Sequence, residues 1–269
     1  MNVGTLTKHV LVENADFVLE SVECQCGTTG WSAPEPSARY GIVFVRRGCF
    51  HRRMNGVESF VDPTVAYFER PQDEQQISHP AGGDSCSVLY LSEALLADLY
   101  GGEPGLPAAP VPTDAVTDLG HRLLLASVSR GEAGEAAVEL ATSALQRAAP
   151  QRVASGRPST ALARRRIVSE VREALVDAPG SKLLELARRV SVSPHHLSRV
   201  FKAETGETIS SYRNRLRIRL AVDRIADGEP CLARLAADLG FADQAHLARV
   251  IRTELDTTAS GLRMRLGGP

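Results

Sequence analysis

Arg199 and Arg249 stand at matching places in two segments of one pattern, Ser193-Pro194-His195-His196-Leu197-Ser198-Arg199-Val200-Phe201-Lys202 and Asp243-Gln244-Ala245-His246-Leu247-Ala248-Arg249-Val250-Ile251-Arg252. A guanidinium forks onto O6 and N7 of guanine, a glutamine amide pairs with adenine, and a methyl or an imidazole meets a thymine methyl or an acceptor. Wound as a helix, the first segment puts Leu197, Val200 and Phe201 on one face and His195, Ser198, Arg199 and Lys202 on the other. The second buries Leu247, Val250 and Ile251 and turns Gln244, Ala245, Ala248, Arg249 and Arg252 outward, with His246 at the edge of that face. Arg199 and Arg249 are therefore expected to reach base edges. Lys202 and Arg252, further along each helix, are expected to meet phosphates. A basic face on a single helix is usually just solvated. The same arginine at both repeat positions, each opposite an apolar stripe, is what favours nucleic-acid contact.

A second set of reactive types lies far from these. Cys24 and Cys26 share one side of a strand by its two-residue period. If His79 or Cys86 converges on them, the group offers thiolate metal or redox chemistry. The plainer alternative is that the thiols are small buried core. An iron or manganese centre of the paired-histidine kind is not expected, because His51 has no second histidine nearby and Glu58 lies seven residues on. No nucleophile-and-base pair and no glycine-rich phosphate loop is found, so the sequence leads us to expect no catalytic residue, no metal and no cofactor.

The elements that must hold the two basic segments are themselves repeated. Leu186-Ala187-Arg188-Arg189-Val190 precedes the first segment and Leu235-Ala236-Ala237-Asp238-Leu239 the second, each with a short turn between. Leu186 and Leu235 are 49 positions apart and Leu197 and Leu247 are 50, so the second turn is one residue longer. A short helix, a tight turn and a basic second helix form the pattern of a helix-turn-helix. Ser193 and Asp243 are placed to cap the second helices, with Pro194 tolerated in the first turn. Between the copies, Thr208 to Ala226 reads as one helix with Ile209, Tyr212, Leu216, Leu220 and Ile225 down one side. At 1.5 Å per residue it is roughly 28 Å long, close to the approximately 34 Å between successive major-groove segments. Its arginines, Arg213, Arg215, Arg217 and Arg219, are candidates for phosphate contact or for simple solvation.

Charge divides the chain at the same place. From residue 160 onward, 19 Lys and Arg stand against 13 Asp and Glu, a net +6, which leaves −7 for the rest of a chain whose total is −1. Such asymmetry suggests a polyanion-binding part joined to a different part. The 43% hydrophobic and 23% charged residues are ordinary for globular protein with proper cores. No apolar run nears the roughly 18 residues that span a bilayer, and the first residues do not read as a secretory signal. A cytoplasmic protein with no membrane partner is expected. Five cysteines, an odd number, fit thiols in a reducing compartment better than disulfides.

Residues 10 to 91 read as short strands, at Phe17-Leu19, Val22-Cys26, Tyr40-Val45, Ser59-Val61, Val65-Phe68 and Cys86-Leu91, separated by Gly, Pro and Asp. Six to eight strands without intervening helices imply a sandwich or jelly roll. Helical patterns follow at about 92–100, 113–130 and 132–148. Their stripes, Leu119, Leu123, Leu124 and Ala126, then Val138, Leu140 or Ala141, and Leu145, must cover either their own sheet or a second subunit. The expected organisation is a domain over 1–148, a linker over 149–160 containing Pro150, Gly156 and Pro158, and a helical domain over 161–269.

From roughly 163 to 266 the chain resembles the DNA-binding domain of the AraC/XylS transcription regulators. The resemblance rests on LARRVSVSPHHLSRVFKAETGETISSYRNRLRIRLAVDRI and LARLAADLGFADQAHLARVIRTEL, with Leu197–Lys202, Thr205-Gly206 and Leu239-Gly240-Phe241 as hallmarks. The stretch Thr257–Arg263 departs from the family by lacking its usual Pro and Tyr. The resemblance implies base reading by His195, Ser198 and Arg199 in the first unit and by Gln244, Ala245, His246 and Arg249 in the second. It also implies a two-domain α+β protein, with a cupin-like β-barrel and trailing helices in front of an all-α domain carrying two helix-turn-helix units. Val45–Phe50 and Ser78–Cys86 look like segments found in the front domain of some members. The implied function is a sequence-specific transcription regulator controlled by a small effector held in the front domain. Its implied partners are double-stranded promoter DNA, RNA polymerase for an activator, and a second copy in a homodimer. The alternatives are a cupin-type enzyme with an accessory nucleic-acid-binding domain, a nonspecific architectural DNA binder, and a regulator that responds to thiol oxidation or metal through Cys24, Cys26, His79 and Cys86.

Overall fold

The computed structural model describes residues 5–27, 30–100, 106–107, 110–148 and 158–266. The chain forms two compact units, Met1–Ala149 and Pro150–Pro269.

The first unit begins with nine strands, β1 (Leu6–Glu13), β2 (Phe17–Cys24), β3 (Glu35–Pro36), β4 (Tyr40–Arg47), β5 (Phe50–Met54), β6 (Val57–Val61), β7 (Val65–Glu69), β8 (Glu74–Ser78) and β9 (Asp84–Leu91). Helix α1 (Glu93–Tyr100), strand β10 (Val111–Pro112) and helices α2 (Ala115–Val128) and α3 (Ala133–Arg147) complete it. The strands form two antiparallel sheets, β1-β2-β9-β4-β7-β10 and β3-β8-β5-β6. The larger sheet is covered on both faces, which explains why Ile42-Val43-Phe44-Val45 of β4 is a continuous apolar run without alternation. Val43 and Val45 meet Phe50 and Val61 of the second sheet, together with Tyr67, Cys86 and Val88. Ile42 and Phe44 point the other way and pack with Leu19, Phe68 and Leu89 against Leu124, Ala137, Leu140 and Ala141. Leu124, Leu140, Ala141 and Leu145 of the trailing helices thus pack on their own sheet. Leu123 and Ala126 are only half-buried, and Val138 lies exposed. The result is a front unit of two antiparallel sheets with helices packed on the larger one.

Three details differ from the sequence expectation. Phe17–Leu19 and Val22–Cys26 belong to a single strand, β2, which ends at Cys24, so Cys26 lies just beyond the strand. Strand β1 pairs along the whole of β2, yet it is mostly exposed and so lacks the apolar alternation of a half-buried strand. Strands β5 (FHRRM) and β8 (EQQIS) are too polar to show in composition; the ladders of His51 with Ser78 and Arg53 with Gln76 reveal them.

The second unit is helical: α4 (Pro158–Asp177), α5 (Leu183–Arg189), α6 (Pro194–Thr205), α7 (Ile209–Ala226), α8 (Leu232–Asp238), α9 (Gln244–Leu255) and α10 (Ala259–Leu266). Helix α4 starts inside the expected 149–160 linker, because a proline costs nothing as the first helical residue; residues 149–157 of that linker lie outside the described ones. Val171, Leu175, Leu186, Leu197, Phe201 and Tyr212 build one core from α4 to α7. Leu235, Phe241, Leu247, Ile251 and Leu262 are buried in the second half. Helix α7 packs on α4 and α6 in the first half and on α10 in the second. Helix α10 forms although the usual Pro and Tyr are missing: Thr258 accepts from the Gly261 N–H and Leu262 is fully buried. Among the described residues, no helix is long and apolar enough to cross a membrane.

Candidate nucleic-acid interface

The two basic helices are built by the same local chemistry 50 residues apart. Ser193 Oγ accepts from His196 N–H at 3.1 Å, and Asp243 Oδ1 from His246 N–H at 2.6 Å, so α6 and α9 each start at a side-chain cap. The helix ends repeat as well: Gly206 (φ 79°) and Asp256 (φ 48°) take the left-handed conformation that closes α6 and α9. Thr208 and Thr258 then begin α7 and α10 by accepting from Ser211 and Gly261 N–H. Before each cap, a turn residue also sits at positive φ, Ser191 at 53° and Gly240 at 72°. A cap of this kind contributes about 0.5–2 kcal/mol. Ser193→Ala and Asp243→Ala are each expected to lower unit stability by that amount in chemical denaturation. Unchanged midpoints in both would show the caps to be incidental.

Both helices turn the same positions outward. His195, Ser198, Arg199 and Lys202 on α6 are all exposed, as are Gln244, Ala245, Arg249 and Arg252 on α9. Leu197, Val200 and Phe201 are buried beneath the first set and Leu247 and Ile251 beneath the second, while Val250 is only half-buried. Among the described residues, no carboxylate or carbonyl engages Arg199, Lys202, Arg249 or Arg252. Ser198 Oγ donates back to Pro194 O at 3.0 Å, leaving its lone pairs as the outward-facing function. His246 is different. Its Nδ1 accepts from Ala242 N–H at 3.3 Å, and its ring stands edge-on to Phe241 with centroids 5.5 Å apart, so it braces the turn before α9.

The arginines of α7 correct the sequence expectation. None is simply solvated or waiting for phosphate, because each is used inside the unit. Arg213 donates to Ser181 O at 2.7 Å, Arg215 pairs with Glu207, Arg217 donates to Pro179 O at 3.2 Å, and Arg219 is buried. Burial lowers the affinity of the Arg213 and Arg217 guanidiniums for their protons. Arg263 repeats the bond of Arg213, donating to Glu229 O at 2.7 Å. In both copies, therefore, the helix after the capped basic helix is tied to the loop before the first helix of its unit. The Arg217 guanidinium also lies against Gly240, where a Cβ would come within 3.0 Å of Nη2. Leu220, expected on the buried side, is 37% exposed; Ala221 and Val222 are buried there instead. Glu229, paired with Arg224 and Arg234 at 2.6 and 2.7 Å, is held down to about 2 by those hydrogen bonds.

In the first unit the sulfur residues do converge. Cys24 Sγ lies 3.9 Å from His79 Nδ1, and the donor atoms of Cys24, Cys26 and His79 are all within 4.8 Å of one another. Cys86 stays one step away and donates to Asp84 Oδ2 at 2.9 Å, while Asp84 Oδ1 holds His79 Nε2 at 2.6 Å. Asp84 was absent from the sequence expectation; its only signal is its place five residues after His79 in the Gly-rich segment. Burial first, then the neighbouring Cys26 thiol, pushes the Cys24 thiol up to about 12. His51 and Glu58 make a partly exposed pair at 3.4 Å.

Residues 186–265 match the family model described as "Helix-turn-helix domain". Regulatory protein SoxS of Salmonella typhimurium (strain LT2) is 33% identical over 81 residues, 30% of this chain and 76% of SoxS. Regulatory protein ada of the same organism is 37% identical over 78 residues, 29% of this chain and 22% of that relative. Among solved structures, ToxT from Vibrio cholerae O395 aligns over 94% of this chain and 99% of its own with 11% identity and a TM-score of 0.37. Two capped helix-turn-helix units within the matched segment, and a relative one-third identical over three-quarters of its length, place this chain in the AraC/XylS family of DNA-binding transcription regulators.

Proposed function

We propose that this regulator reads its operator by laying α6 and α9 in successive major-groove segments. His195, Ser198, Arg199, Gln244, Ala245 and Arg249 meet base edges, and Lys202 and Arg252 meet phosphates. The observation that carries this reading is the pair of side-chain-capped helices with an exposed, unengaged arginine at the same position in each. The 18 residues of α7 make a rod about 27 Å long. This is short of one B-DNA turn by several ångströms, so binding both sites is expected to bend the duplex at a cost of order 1–6 kcal/mol. His246 braces the turn through Nδ1, and its Nε2 is left for a base edge at the rim of the α9 face. The chain acts as a regulator and not as an enzyme, in the cytoplasm and as a homodimer. The cupin-like unit holds a small effector, and RNA polymerase is the partner if the target genes are activated.

The test is operator selection from a random library by the full chain, followed by anisotropy titrations over a range of salt concentrations. Lys202→Ala and Arg252→Ala are each expected to weaken binding evenly across sequences and to lower the salt slope by about one. A selected pool with no consensus, together with a steep slope, would replace this reading by nonspecific architectural binding.

A further inference from the structure

We infer that Cys24, Cys26 and His79 form a binding site for one thiophilic transition-metal ion of the Zn2+ class, with Asp84 holding the histidine in place. Tetrahedral zinc at its usual Zn–S of about 2.3 Å and Zn–N of about 2.0–2.1 Å sets donor atoms roughly 3.5–3.8 Å apart. The Cys24–His79 separation is 3.9 Å and every pair lies within 4.8 Å, so closure needs shifts of about an ångström or less, within reach of side-chain rotation. Two thiolates and a neutral imidazole balance the charge of a divalent ion, and the two thiol protons leave to solvent as the metal–sulfur bonds form.

The surroundings are built as a metal site is built. Asp84 Oδ1 engages His79 Nε2 at 2.6 Å, which turns Nδ1 toward the thiols; a carboxylate on the far nitrogen is the usual partner of a metal-binding histidine. Asp84 Oδ2 is fixed in turn by the Cys86 thiol, so Cys86 supports the site from behind. Phe50 walls the imidazole at 5.5 Å. Two glycines allow the loops to close this tightly. A Cβ on Gly83 would lie 2.0 Å from Cys24 O, and one on Gly48 2.5 Å from Gly83 O. The Gln25 N–H donates to Thr5 O at 3.0 Å and ties down the backbone between the two cysteines. Cys24 and His79 are buried and Cys26 is half-buried, so the ion enters past Cys26, on the side where the fourth coordination position stays open to water or an exchanging thiol. Thiolate sulfur with a single imidazole selects Zn2+ over hard ions such as Mg2+ or Ca2+.

The full-length protein, reduced and stripped with chelator, is titrated with Co2+ and then with Zn2+. The expected result is one Co2+ per chain, a near-ultraviolet thiolate-to-cobalt band with tetrahedral visible bands, and stoichiometric displacement by Zn2+. Cys24→Ser and Cys26→Ser each reduce the near-ultraviolet band to about half or less. Asp84→Asn weakens Zn2+ by about 10–100-fold with band positions kept, and Cys86→Ser keeps the full band intensity. Absence of a thiolate band from the wild-type chain overturns the inference. So does a band that survives both serine variants, or one lost as fully in Cys86→Ser as in Cys24→Ser. None of these readouts involves DNA, so failure here and failure of the groove-reading proposal are separately visible.

Discussion

Alanine at both Arg199 and Arg249 is expected to abolish operator recognition while leaving the fold intact. Both side chains are exposed, so truncation removes no packing, and stability should change by no more than about 0.5 kcal/mol. Each arginine that forks onto a guanine contributes about 1–3 kcal/mol of discrimination. The two act on separate helices and on different base pairs, so their losses should add. The double variant is then expected to bind its operator roughly thirtyfold to twenty-thousandfold more weakly, approaching its affinity for unrelated DNA. Each single variant should relax preference at one base position only, with the two positions about one helical turn apart. Anisotropy at fixed salt gives the affinity, and repeating the selection with each single variant gives the position. Binding by the double variant within threefold of wild type would remove the base-reading role from both residues. Arg213→Ala and Arg263→Ala provide the contrast: they sever bonds to Ser181 O and Glu229 O, so their damage should appear first in stability.

That contrast also shows what the sequence makes legible. The repeat is visible because caps, apolar stripes and left-handed closures depend on residue type at short range: Ser193 and Asp243, Leu197 and Leu247, and Gly240 announce themselves. The fates of the α7 arginines do not. Arg213 and Arg217 find backbone carbonyls 32 and 38 residues away, and a carbonyl has no residue identity by which to be anticipated. A charged residue on a helix therefore reads the same whether it faces a phosphate or ties the unit together. Ser191 hides its turn for a related reason, since its positive φ sits on a residue that normally avoids it. In the front unit, the strands buried on both faces, β4, β7 and β9, are plain from composition. Strands β5 and β8 are not, because His51, Arg53 and Gln76 share a polar outer face while Arg52 and Gln75 place polar groups on the inner one. The thiol cluster was half legible: the spacing of Cys24 and Cys26 raised it, but only the antiparallel pairing of Cys24 with Asp84 across β2 and β9 brings the His79 segment onto it.

Phe201→Ala is expected to produce the largest loss of stability in the helical unit. Phe201 is fully buried at 0% exposure, in a core shared by four helices, and meets Tyr212 edge to face with ring centroids 5.5 Å apart. Truncating a buried phenylalanine costs about 3–5 kcal/mol, and in this case an aromatic pair worth about 0.5–1.5 kcal/mol goes with it. For a unit of this size the melting temperature should fall by at least about 10 °C. Phe201 lies on the face of α6 opposite Arg199, so the same cavity loosens the helix that carries Arg199. The repeat predicts a matched experiment: Ile251 occupies the equivalent place in α9 and is also fully buried, but it has no aromatic partner in Leu262, the counterpart of Tyr212. Ile251→Ala should therefore cost less, within the range of about 2–5 kcal/mol for buried aliphatic truncation. Thermal unfolding of the two variants beside wild type decides the matter. Equal or reversed losses would mean that the first core does not depend on the Phe201–Tyr212 contact, and that the two units share the load of α7 differently from what their packing indicates.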